Sequence, residues 1–431
     1  MEKRKSLYGN VFKTNILGTP IIVSTDPEVN KAVLQNHGST FIPAYPKSVR
    51  ELMGEHSILR MNGNLHRRVH ALIGRFLKSP QFKARITKDI EYSVRLTLAS
   101  WKNTNLIYVQ EEVKKVTFQV LVKALISIGP GDDLDFVKRE FDEFIKGLIC
   151  LPINFPGTRL YKSLKAKEKL FKMVRKVVEE RKDAMDMEEE SSKAFNTTAK
   201  DVVDALLRDK DELNERQPLP LDFISGNVVE MMIPGEETMP TAMTLAVKFL
   251  GDSPVALKQI TDENMELKKQ KADSCGDCSW ADYMSLTFTQ NVISETLRMA
   301  NIINAVWRKA VKDVEIKGNL IPKGWCVLAS FTSVHMNDEN YHNPYEFDPW
   351  RWEKTGGAVM SNCFTPFGGG QRLCPGLELS RLEIAIFLHH LVTSYRWVAK
   401  EDEIVYFPTV KMKKKLPIRI TGCNLYSHWV R

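Results

Sequence analysis

The sequence predicts a mainly α-helical fold with small β-sheets, formed by a single domain over residues 1–431. Apolar residues recur at three- and four-residue steps through most of residues 65–180, the spacing of amphipathic helices. Short apolar or alternating segments bounded by glycine and proline lie near both ends and at residues 305–330, as is typical of strands. No internal repeat divides the chain.

The first elements are predicted to be a β-hairpin and a helix. Residues 11–17 alternate imperfectly, residues 18–20 (GTP) are turn formers, and residues 21–23 (IIV) are apolar. Asp26 then precedes Pro27, and this pair predicts a helix start because aspartate is a good N-cap and proline suits the first turn.

The later elements follow from the same patterns. Residues 183–199, rich in glutamate, serine and threonine, are predicted to be an exposed loop. Residues 221–250 predict one long helix that Pro234 and Pro240 interrupt. Further helices are expected at residues 282–300 and 376–395, short strands at 305–330, and a hairpin in the tail, residues 404–421.

Composition restricts the class of partner. The net charge is +8, but 53 acidic residues are dispersed along the chain, so we expect no nucleic-acid partner. A basic face for an acidic protein or an anionic membrane surface fits better. Seven cysteines at irregular spacing argue against a disulfide framework. No run of 18 apolar residues occurs, so we expect the chain to be soluble or peripheral.

The sharpest functional signal is residues 367–376, FGGGQRLCPG, directly before the last predicted helix. At a helix start, free N–H groups and the helix dipole stabilise a Cys374 thiolate. The glycines allow the backbone to approach a flat cofactor, and Arg372 can pair with an acidic group on it. A thiolate ligand donates electron density to iron and favours O–O cleavage. We therefore predict that Cys374 is the metal ligand, rather than a buried structural cysteine.

The segment resembles the haem-binding signature of the cytochrome P-450 family, FxxGxRxCxG, from Phe367 to Gly376. Three further motifs occur in the family's order: residues 234–238 (PGEET) match [AG]GxxT, residues 295–298 (ETLR) match ExxR, and residues 347–352 (FDPWRW) match FxPxRW. The resemblance covers the whole chain. It implies the cytochrome P-450 fold, haem b as the cofactor and a haem-thiolate monooxygenase.

Glu295 and Arg298 are three residues apart and share a helix face. The resemblance implies that they form a buried structural triad with Arg351, which fixes the loop that carries Cys374. A solvated surface pair is the alternative, and such a pair would contribute little stability.

Glu237 and Thr238 lie in the long central helix between two prolines. Proline removes a backbone donor, so the helix can open a groove there. A carboxylate and a hydroxyl beside that groove predict a catalytic pair that relays protons to oxygen. An exposed acidic patch, Glu236 with Glu237, is the alternative. Pro234 stands where the family usually has Ala or Gly, so we expect a local change in the groove.

The resemblance also implies cations for the haem propionates, and Arg372 and Arg308 match two of them. The family's WxxxR helix here reads LHRRVH at residues 65–70, where His66 and His70 share a face and His70 stands in place of arginine. Three arginines of this helix are expected to face solvent and to receive an acidic electron donor, with plain solubility as the alternative: Arg67, Arg68 and Arg75.

Two side-chain pairs are alternative candidates for metal binding. His66 and His70 are four apart, but no glutamate follows in the HExxH sense. Cys275 and Cys278 form a CxxC without a second pair, in a polar segment.

Longer stretches are similar to the plant clan that oxidises steroids and terpenoids, and most of all to brassinosteroid side-chain hydroxylases acting at C-23, with C-22 enzymes next. They are residues 151–158, 200–207, 231–238 and 288–299. The implied reaction inserts one oxygen atom of O2 into a C–H bond of a steroid. Its electrons come from NADPH through NADPH–cytochrome P-450 reductase. Pocket walls are expected at residues 41–62 and at a small set from the central helix and the segment after ExxR: Met232, Ile233, Asn304, Ala305 and Val306.

Family members of this type begin with a membrane anchor and a proline-rich hinge, which this sequence does not show, so we expect an N-terminally truncated form. By analogy, its place is the cytosolic face of the endoplasmic reticulum membrane. Two other classes stay open. One is a haem-thiolate isomerase or dehydratase that needs no electrons, against which Glu237 and Thr238 argue. The other is an inactive haem- or steroid-binding form.

Overall fold

The computed structural model describes residues 2–422, apart from 17–18, 36–37, 191–197, 210–216, 355–361 and 407–408. Helices make up most of this part of the chain. They are α1 (Glu2–Tyr8), α2 (Pro27–Gln35), α3 (Lys47–Met53), α4 (Gly63–Lys78), α5 (Pro80–Ser100), α6 (Val109–Ile126), α7 (Asp132–Ile145), α8 (Arg159–Glu190), α9 (Val202–Leu207), α10 (Leu221–Met231), α11 (Ile233–Glu236), α12 (Thr238–Asp252), α13 (Pro254–Asp273), α14 (Trp280–Met284), α15 (Thr287–Ala300), α16 (Thr332–His335), α17 (Arg351–Lys354) and α18 (Leu377–Ser394).

The strands form small sheets. The largest has the order β1-β2-β8-β5-β3, in which β2 and β8 are parallel and the other pairs are antiparallel; β4-β12-β9, β6-β7 and β10-β11 are smaller. Their bounds are β1 (Val11–Ile16), β2 (Thr19–Ser24), β3 (Phe41–Pro43), β4 (Ile107–Tyr108), β5 (Ala305–Ala310), β6 (Val314–Ile316), β7 (Asn319–Ile321), β8 (Cys326–Ser330), β9 (Tyr395–Ala399), β10 (Ile404–Val405), β11 (Lys411–Met412) and β12 (Pro417–Gly422).

The predicted N-terminal hairpin and helix start are confirmed. β1 and β2 pair antiparallel. The Asp26 carboxylate accepts the amides of Glu28 and Val29, both at 2.9 Å, so it satisfies two free N–H groups at the start of α2. The predicted tail hairpin is confirmed in part, because β10 pairs with β11 while β12 joins β9 and β4.

Two predicted boundaries are wrong. Residues 183–190 are not a loop, because α8 continues to Glu190. Glutamate is a good helix former, and Lys182 pairs with Asp186 one turn later. The rest of that predicted loop, residues 191–197, lies outside the described residues. The helix predicted at 282–300 begins at Thr287. The preceding α14 is separate and starts with a capping box at Ser279.

One large apolar core lies among the helices, and two small cores flank the five-stranded sheet. α12 and α18 are apolar on nearly all sides and lie inside the large core, as expected for helices that other helices surround. α18 begins directly after the Cys374 loop, so the packing of this helix fixes one end of the loop. Among the described helices, none is both long enough and apolar enough to cross a membrane.

Candidate active site

Residues 367–376, the Cys374 loop, lie directly before α18 and are held by backbone hydrogen bonds. The Cys374 amide donates to the Phe367 carbonyl at 3.1 Å, and the Gly368 amide donates to the Thr365 carbonyl at 3.0 Å. Burial raises the pKa of the Cys374 thiol, and the Gly376 amide, which donates to the sulfur, lowers it. A buried thiolate therefore needs a positive partner, and a metal ion at the sulfur would provide it.

Two glycines of this loop are needed for its backbone conformation. Gly368 has φ +74° and Gly370 has φ +63°. A Cβ atom on Gly370 would also collide with the backbone carbonyl of Leu34, at the end of α2. Gly376 has an ordinary φ of −86° and contributes its amide instead. Close backbone approach is thus observed at Gly370, but the neighbour is α2, and the predicted approach of the glycines to a flat cofactor stays a prediction.

The structure brings Glu295, Arg298 and Arg351 together in a dry site. The side chains of Glu295 and Arg298 are 0% exposed. Arg298 donates to both carboxylate oxygens of Glu295, at 2.8 and 2.9 Å. Arg351 Nε, Trp352 Nε1 and the Asp348 amide donate to the same carboxylate at 3.0, 3.0 and 3.1 Å.

The other guanidinium N–H groups also have acceptors. Arg298 Nη1 donates to the carbonyls of His335 and Pro344, both at 2.8 Å. Arg351 Nη1 donates to the His342 carbonyl at 2.8 Å. Glu295 and Arg298 are therefore a buried, hydrogen-bonded pair and not a surface contact.

A buried histidine joins this triad to the cysteine loop. His335 Nε2 accepts the Thr365 amide at 3.1 Å, and its Nδ1 lies 2.9 Å from Asn301 Oδ1. Burial, followed by the charge of Arg298, lowers the pKa of His335 to about 3. The ring is thus neutral, with Nδ1–H donating to Asn301. His335 belongs to no local motif, so its neighbours in the sequence do not predict this role.

Arg308 and Arg372 are the charged groups of a cationic cluster that also contains the rings of His66 and His70. The rings of His66 and His70 are 5.5 Å apart. Burial lowers the pKa of His66 to about 4, and the charges of Arg372, His70 and Arg308 add to this effect. Burial also lowers the pKa of Arg372 to about 10, with Arg308 contributing. The four side chains therefore lie within electrostatic range of one another.

Within the described ranges, no carboxylate forms an ion pair with this cationic cluster. Arg372 donates instead to the Leu59 carbonyl at 3.2 Å and to Asn62 Oδ1 at 3.0 Å. His70 Nε2 lies 2.8 Å from the Leu373 carbonyl. Buried cations without acidic partners fit an anionic ligand. Together with the Cys374 sulfur, these residues fit a haem, whose iron takes a thiolate and whose propionates take cations.

The central helix is divided where the prolines stand. α10 ends at Met231, α11 covers Ile233–Glu236 and α12 starts at Thr238. Pro234 and Pro240 each deprive a preceding carbonyl of its helical donor. The Thr238 hydroxyl donates to the Pro234 carbonyl at 3.3 Å. Burial raises the pKa of Glu237, and Lys114 and Lys411 oppose this shift.

Glu236 is not part of an exposed acidic patch. It is 1% exposed and forms ion pairs with Lys114 of α6 and, at 3.1 Å, with Lys138 of α7. The Thr117 hydroxyl donates to the Gly235 carbonyl at 2.6 Å. The sequence does not predict these contacts, because they depend on the position of α6 and α7 beside the helix break.

The expected pocket residues lie in different surroundings. Met232 is fully buried in the large core, so it exposes no surface to a ligand. Ile233 is half-buried, and Asn304 is exposed in the turn before β5. Ala305 and Val306 are half-buried on β5. They face opposite sides of the five-stranded sheet, so that each contacts a different one of the two small cores. Residues 41–62 contain β3 and α3 rather than a continuous loop.

The arginines of α4 divide into two groups. Arg67 and Arg75 are exposed, as predicted. Arg68 is not solvent-facing, because it pairs with Asp209 at 2.5 Å and donates to the Gln217 carbonyl at 2.9 Å. The part of the chain that the structure describes contains no group of three potential metal ligands, so neither the His66–His70 pair nor the cysteine pair extends to such a site there.

The family model of cytochrome P450 matches residues 1–419. The chain belongs to the cytochrome P450 family. Two 3-epi-6-deoxocathasterone 23-monooxygenases of Arabidopsis thaliana are 68% and 53% identical to it, each over 97% of this chain and over 79% and 83% of the relative. The 3beta,22alpha-dihydroxysteroid 3-dehydrogenase of the same plant is 42% identical over 97% of this chain and 86% of its own.

The solved structure of the retinoic acid-bound cyanobacterial CYP120A1 has a TM-score of 0.85 and 24% identity, over 98% of this chain and 93% of that one. This likeness concerns the fold, and the predicted cytochrome P-450 fold is confirmed. Family and fold imply a haem cofactor for this P450.

The buried triad predicts a large effect of removing one charge. In Arg298→Met, Glu295 loses its bidentate partner in a dry site, and we expect the free energy of unfolding to fall by about 3–5 kcal/mol. The haem content should fall with the stability, because the position of the Cys374 loop depends on the hydrogen bonds around Glu295 and Arg298. Chemical denaturation measures the free energy of unfolding, and the absorbance of the purified protein measures its haem content. The control is Arg175→Met, which breaks a surface pair with Glu179 and should change little. Equal stability of the two variants would contradict the account.

Proposed function

We propose that this P450 is a haem b monooxygenase that hydroxylates C-23 of brassinosteroid precursors, with 3-epi-6-deoxocathasterone as the substrate. The observation that carries the proposal is the 68% identity, over 97% of the chain, to an enzyme of that name. The 53% identity of a second enzyme with the same activity supports the same substrate.

Haem, when bound, supplies the iron chemistry that activates O2. Cys374 would hold the iron, and the cationic cluster would hold the propionates. One oxygen atom enters the steroid C–H bond to give an alcohol. The other leaves as water, with two electrons from NADPH and two protons.

The chain's own part in this reaction is to deliver those protons. Glu237 is the acid of the pair, and burial raises its pKa above the ordinary glutamate value, which favours the protonated form that can donate. Thr238, one residue on, holds its hydroxyl at the Pro234 carbonyl in the helix break. A water bound by this hydroxyl would connect the acid to oxygen.

Other functions have less support. A C-22 hydroxylase is less favoured, because a cholesterol 16,22-dihydroxylase of Trigonella foenum-graecum and a cholesterol 22-monohydroxylase of Paris polyphylla are only 36% and 35% identical. Another steroid oxidase is less favoured because the 3-dehydrogenase relative is 42% identical. An electron-independent isomerase or dehydratase has no need of the retained Glu237–Thr238 pair.

The electron donor proposed here is NADPH–cytochrome P-450 reductase. Arg67 and Arg75 are exposed on α4, whose His70 lies at the Leu373 carbonyl next to Cys374. An acidic flavoprotein docked on this face would therefore bring its electrons close to the haem.

The location proposed here is the cytosolic face of the endoplasmic reticulum membrane. Between α7 and α8, four large apolar side chains are more than half exposed, and the flanking Lys146, Arg159 and Lys162 add positive charge. This combination favours contact with an anionic membrane surface. The apolar side chains are Ile149, Leu151, Ile153 and Phe155.

The activity is tested with purified haem-loaded protein, plant reductase, NADPH and 3-epi-6-deoxocathasterone. We expect one product, which carries a new hydroxyl at C-23 by mass spectrometry and NMR. Cys374→Ala is the control and should give none, because it lacks the iron ligand. A hydroxyl at C-22, or no product from protein with an intact thiolate-type carbon monoxide spectrum, would overturn the assignment.

Thr238→Ala should uncouple electron use from hydroxylation while haem content and substrate-induced spectral change stay near wild type. We expect product per NADPH to fall at least about fivefold, since a positioned proton donor contributes about 100-fold and water replaces it only in part. Peroxide should rise in parallel.

The matched control is Thr244→Ala on the same helix. The Thr244 hydroxyl donates to the Pro240 carbonyl at 2.6 Å, which repeats the bond of Thr238 to Pro234. This variant should keep wild-type coupling. Equal coupling of the two variants would remove the proton-delivery role and leave Thr238 as a helix-bending residue.

A further inference from the structure

Two glutamates stand side by side at the break of the central helix, and the proposed reaction uses only the second. Glu236 is the last residue of α11, and Glu237 lies between α11 and α12. The φ of Glu237 is −114°, far from the helical value of about −63°. The two carboxyl groups therefore meet different neighbours. Glu236 contacts α6 and α7, whereas the Glu237 carboxyl accepts a hydrogen bond from the Thr409 hydroxyl.

Glu236 is 1% exposed, so its charge depends on two lysines that reach it from neighbouring helices. Lys114 of α6 forms an ion pair with one carboxylate oxygen, and Lys138 of α7 lies 3.1 Å from the other. Burial raises the pKa of Glu236, and the two lysines oppose this rise, to which Asp142 adds. With two ammonium groups in contact, the Glu236 carboxyl is ionised near neutral pH.

Lys114 is a cation that both glutamates face. Burial alone would lower the pKa of Lys114, but the Glu236 carboxylate outweighs burial and raises it. Glu237 and Asp142 add to this rise, so Lys114 stays charged. Among the residues that the structure describes, Lys114 forms an ion pair with Glu236 alone, and Glu237 forms none. The ammonium group is thus held at the first glutamate although it acts electrostatically on both.

The backbone of the helix break is fixed against α6. The Thr117 hydroxyl donates to the Gly235 carbonyl at 2.6 Å. A Cβ atom on Gly235 would lie 3.0 Å from the Leu121 side chain and 3.1 Å from the Thr117 carbonyl, so a larger residue would require α6 to shift. The flexible part of the arrangement is the four-carbon stem of Lys114. The choice of carboxylate by the ammonium therefore needs no movement of the helix.

We propose that Glu236 is a positioning residue that holds the Lys114 ammonium away from Glu237 and so keeps the Glu237 carboxyl in the protonated form that donates. The inference rests on the proposed proton role of Glu237 and does not depend on which steroid is the substrate. Lys138 also lies 3.9 Å from Asp142 of its own helix, so it keeps a partner when Glu236 is neutralised. Lys114 then turns to Glu237, the other glutamate that it faces.

The direction of the pH effect is set by the charges around Glu237. Burial raises the pKa of Glu237. Lys114, Lys411 of β11 and the Thr409 hydroxyl oppose this rise. An opposite charge brought within about 4–6 Å lowers the pKa of a carboxyl group by about 1–3 units. When Lys114 is released from Glu236, the pKa of Glu237 should therefore fall, and the protonated acid should be lost at a lower pH.

The first test is an infrared titration of the carboxylic C=O band of Glu237 in the haem-loaded protein, assigned as the band that Glu237→Gln removes. In Glu236→Gln its midpoint should fall by at least about one pH unit. In Glu236→Gln/Lys114→Met it should equal the midpoint of Lys114→Met. The matched control is Glu140→Gln, which neutralises another buried glutamate, paired with Lys169 at 3.0 Å, and should not move the midpoint.

The double variant separates two ways in which Glu236 can act on Glu237. Direct repulsion between the two carboxylates would make Glu236→Gln shift the midpoint equally with and without Lys114. An effect through the lysine appears only when Lys114 is present. An equal shift in both backgrounds, or no shift in Glu236→Gln, would overturn the inference.

The second readout is product formed per NADPH across the pH range in which the band titrates. Coupling should fall at a lower pH in Glu236→Gln than in the wild type, by the same interval as the infrared midpoint. The profile of Glu236→Gln/Lys114→Met should match that of Lys114→Met. A shifted midpoint with an unshifted coupling profile would overturn the proposed proton role of Glu237 and leave the action of Glu236 on Lys114 standing.

Discussion

The architecture of the cofactor side depends on one buried negative charge, the carboxylate of Glu295. A carboxylate with no exposed surface is stable only if charged and polar donors surround it. α15 supplies Arg298 from its own next turn, but the remaining donors come from the segment that contains Asp348, Arg351 and Trp352. The need to satisfy this charge therefore fastens an otherwise irregular stretch of chain to α15.

The same constraint reaches Cys374, the proposed haem ligand, through backbone contacts. Arg298 holds the His335 carbonyl, and the neutral His335 ring holds the Thr365 amide. The Thr365 carbonyl in turn accepts the Gly368 amide, at the start of the loop that ends at Cys374. Gly370 rests on α2, and α18 fixes the far end. The sulfur is thus placed by a continuous chain of hydrogen bonds that starts at Glu295.

The sequence predicts those parts of the site whose residues are close together in the chain. Cys374 and Arg372 share one segment, and the spacing of Glu295 and Arg298 predicts their shared helix face. His335 and Thr117 leave no such pattern, because the partners that define their roles, Thr365 and Gly235, are remote in sequence. Their contacts exist only in the assembled fold, so the order of residues in the chain does not predict them.

Remote partners also explain why two residues that look exposed in the sequence are not: Glu236, under the alternative of an acidic patch, and Arg68, under the prediction of a solvent-facing cluster. In the folded chain, Glu236 forms ion pairs with Lys114 of α6 and Lys138 of α7. Arg68 forms an ion pair with Asp209. The loop prediction for residues 183–190 is wrong for a local reason. The segment is as polar as a loop, but its glutamates favour helix, and α8 continues through it to Glu190.

The most direct test of this account is amide hydrogen exchange in haem-loaded His335→Phe, in which a ring of similar size replaces one that holds Thr365 and Asn301. The account predicts that residues 365–374 lose protection while α15, with the Glu295–Arg298 pair intact, keeps it. Unchanged protection of residues 365–374 would contradict the claim that the buried charge positions the cysteine loop through His335.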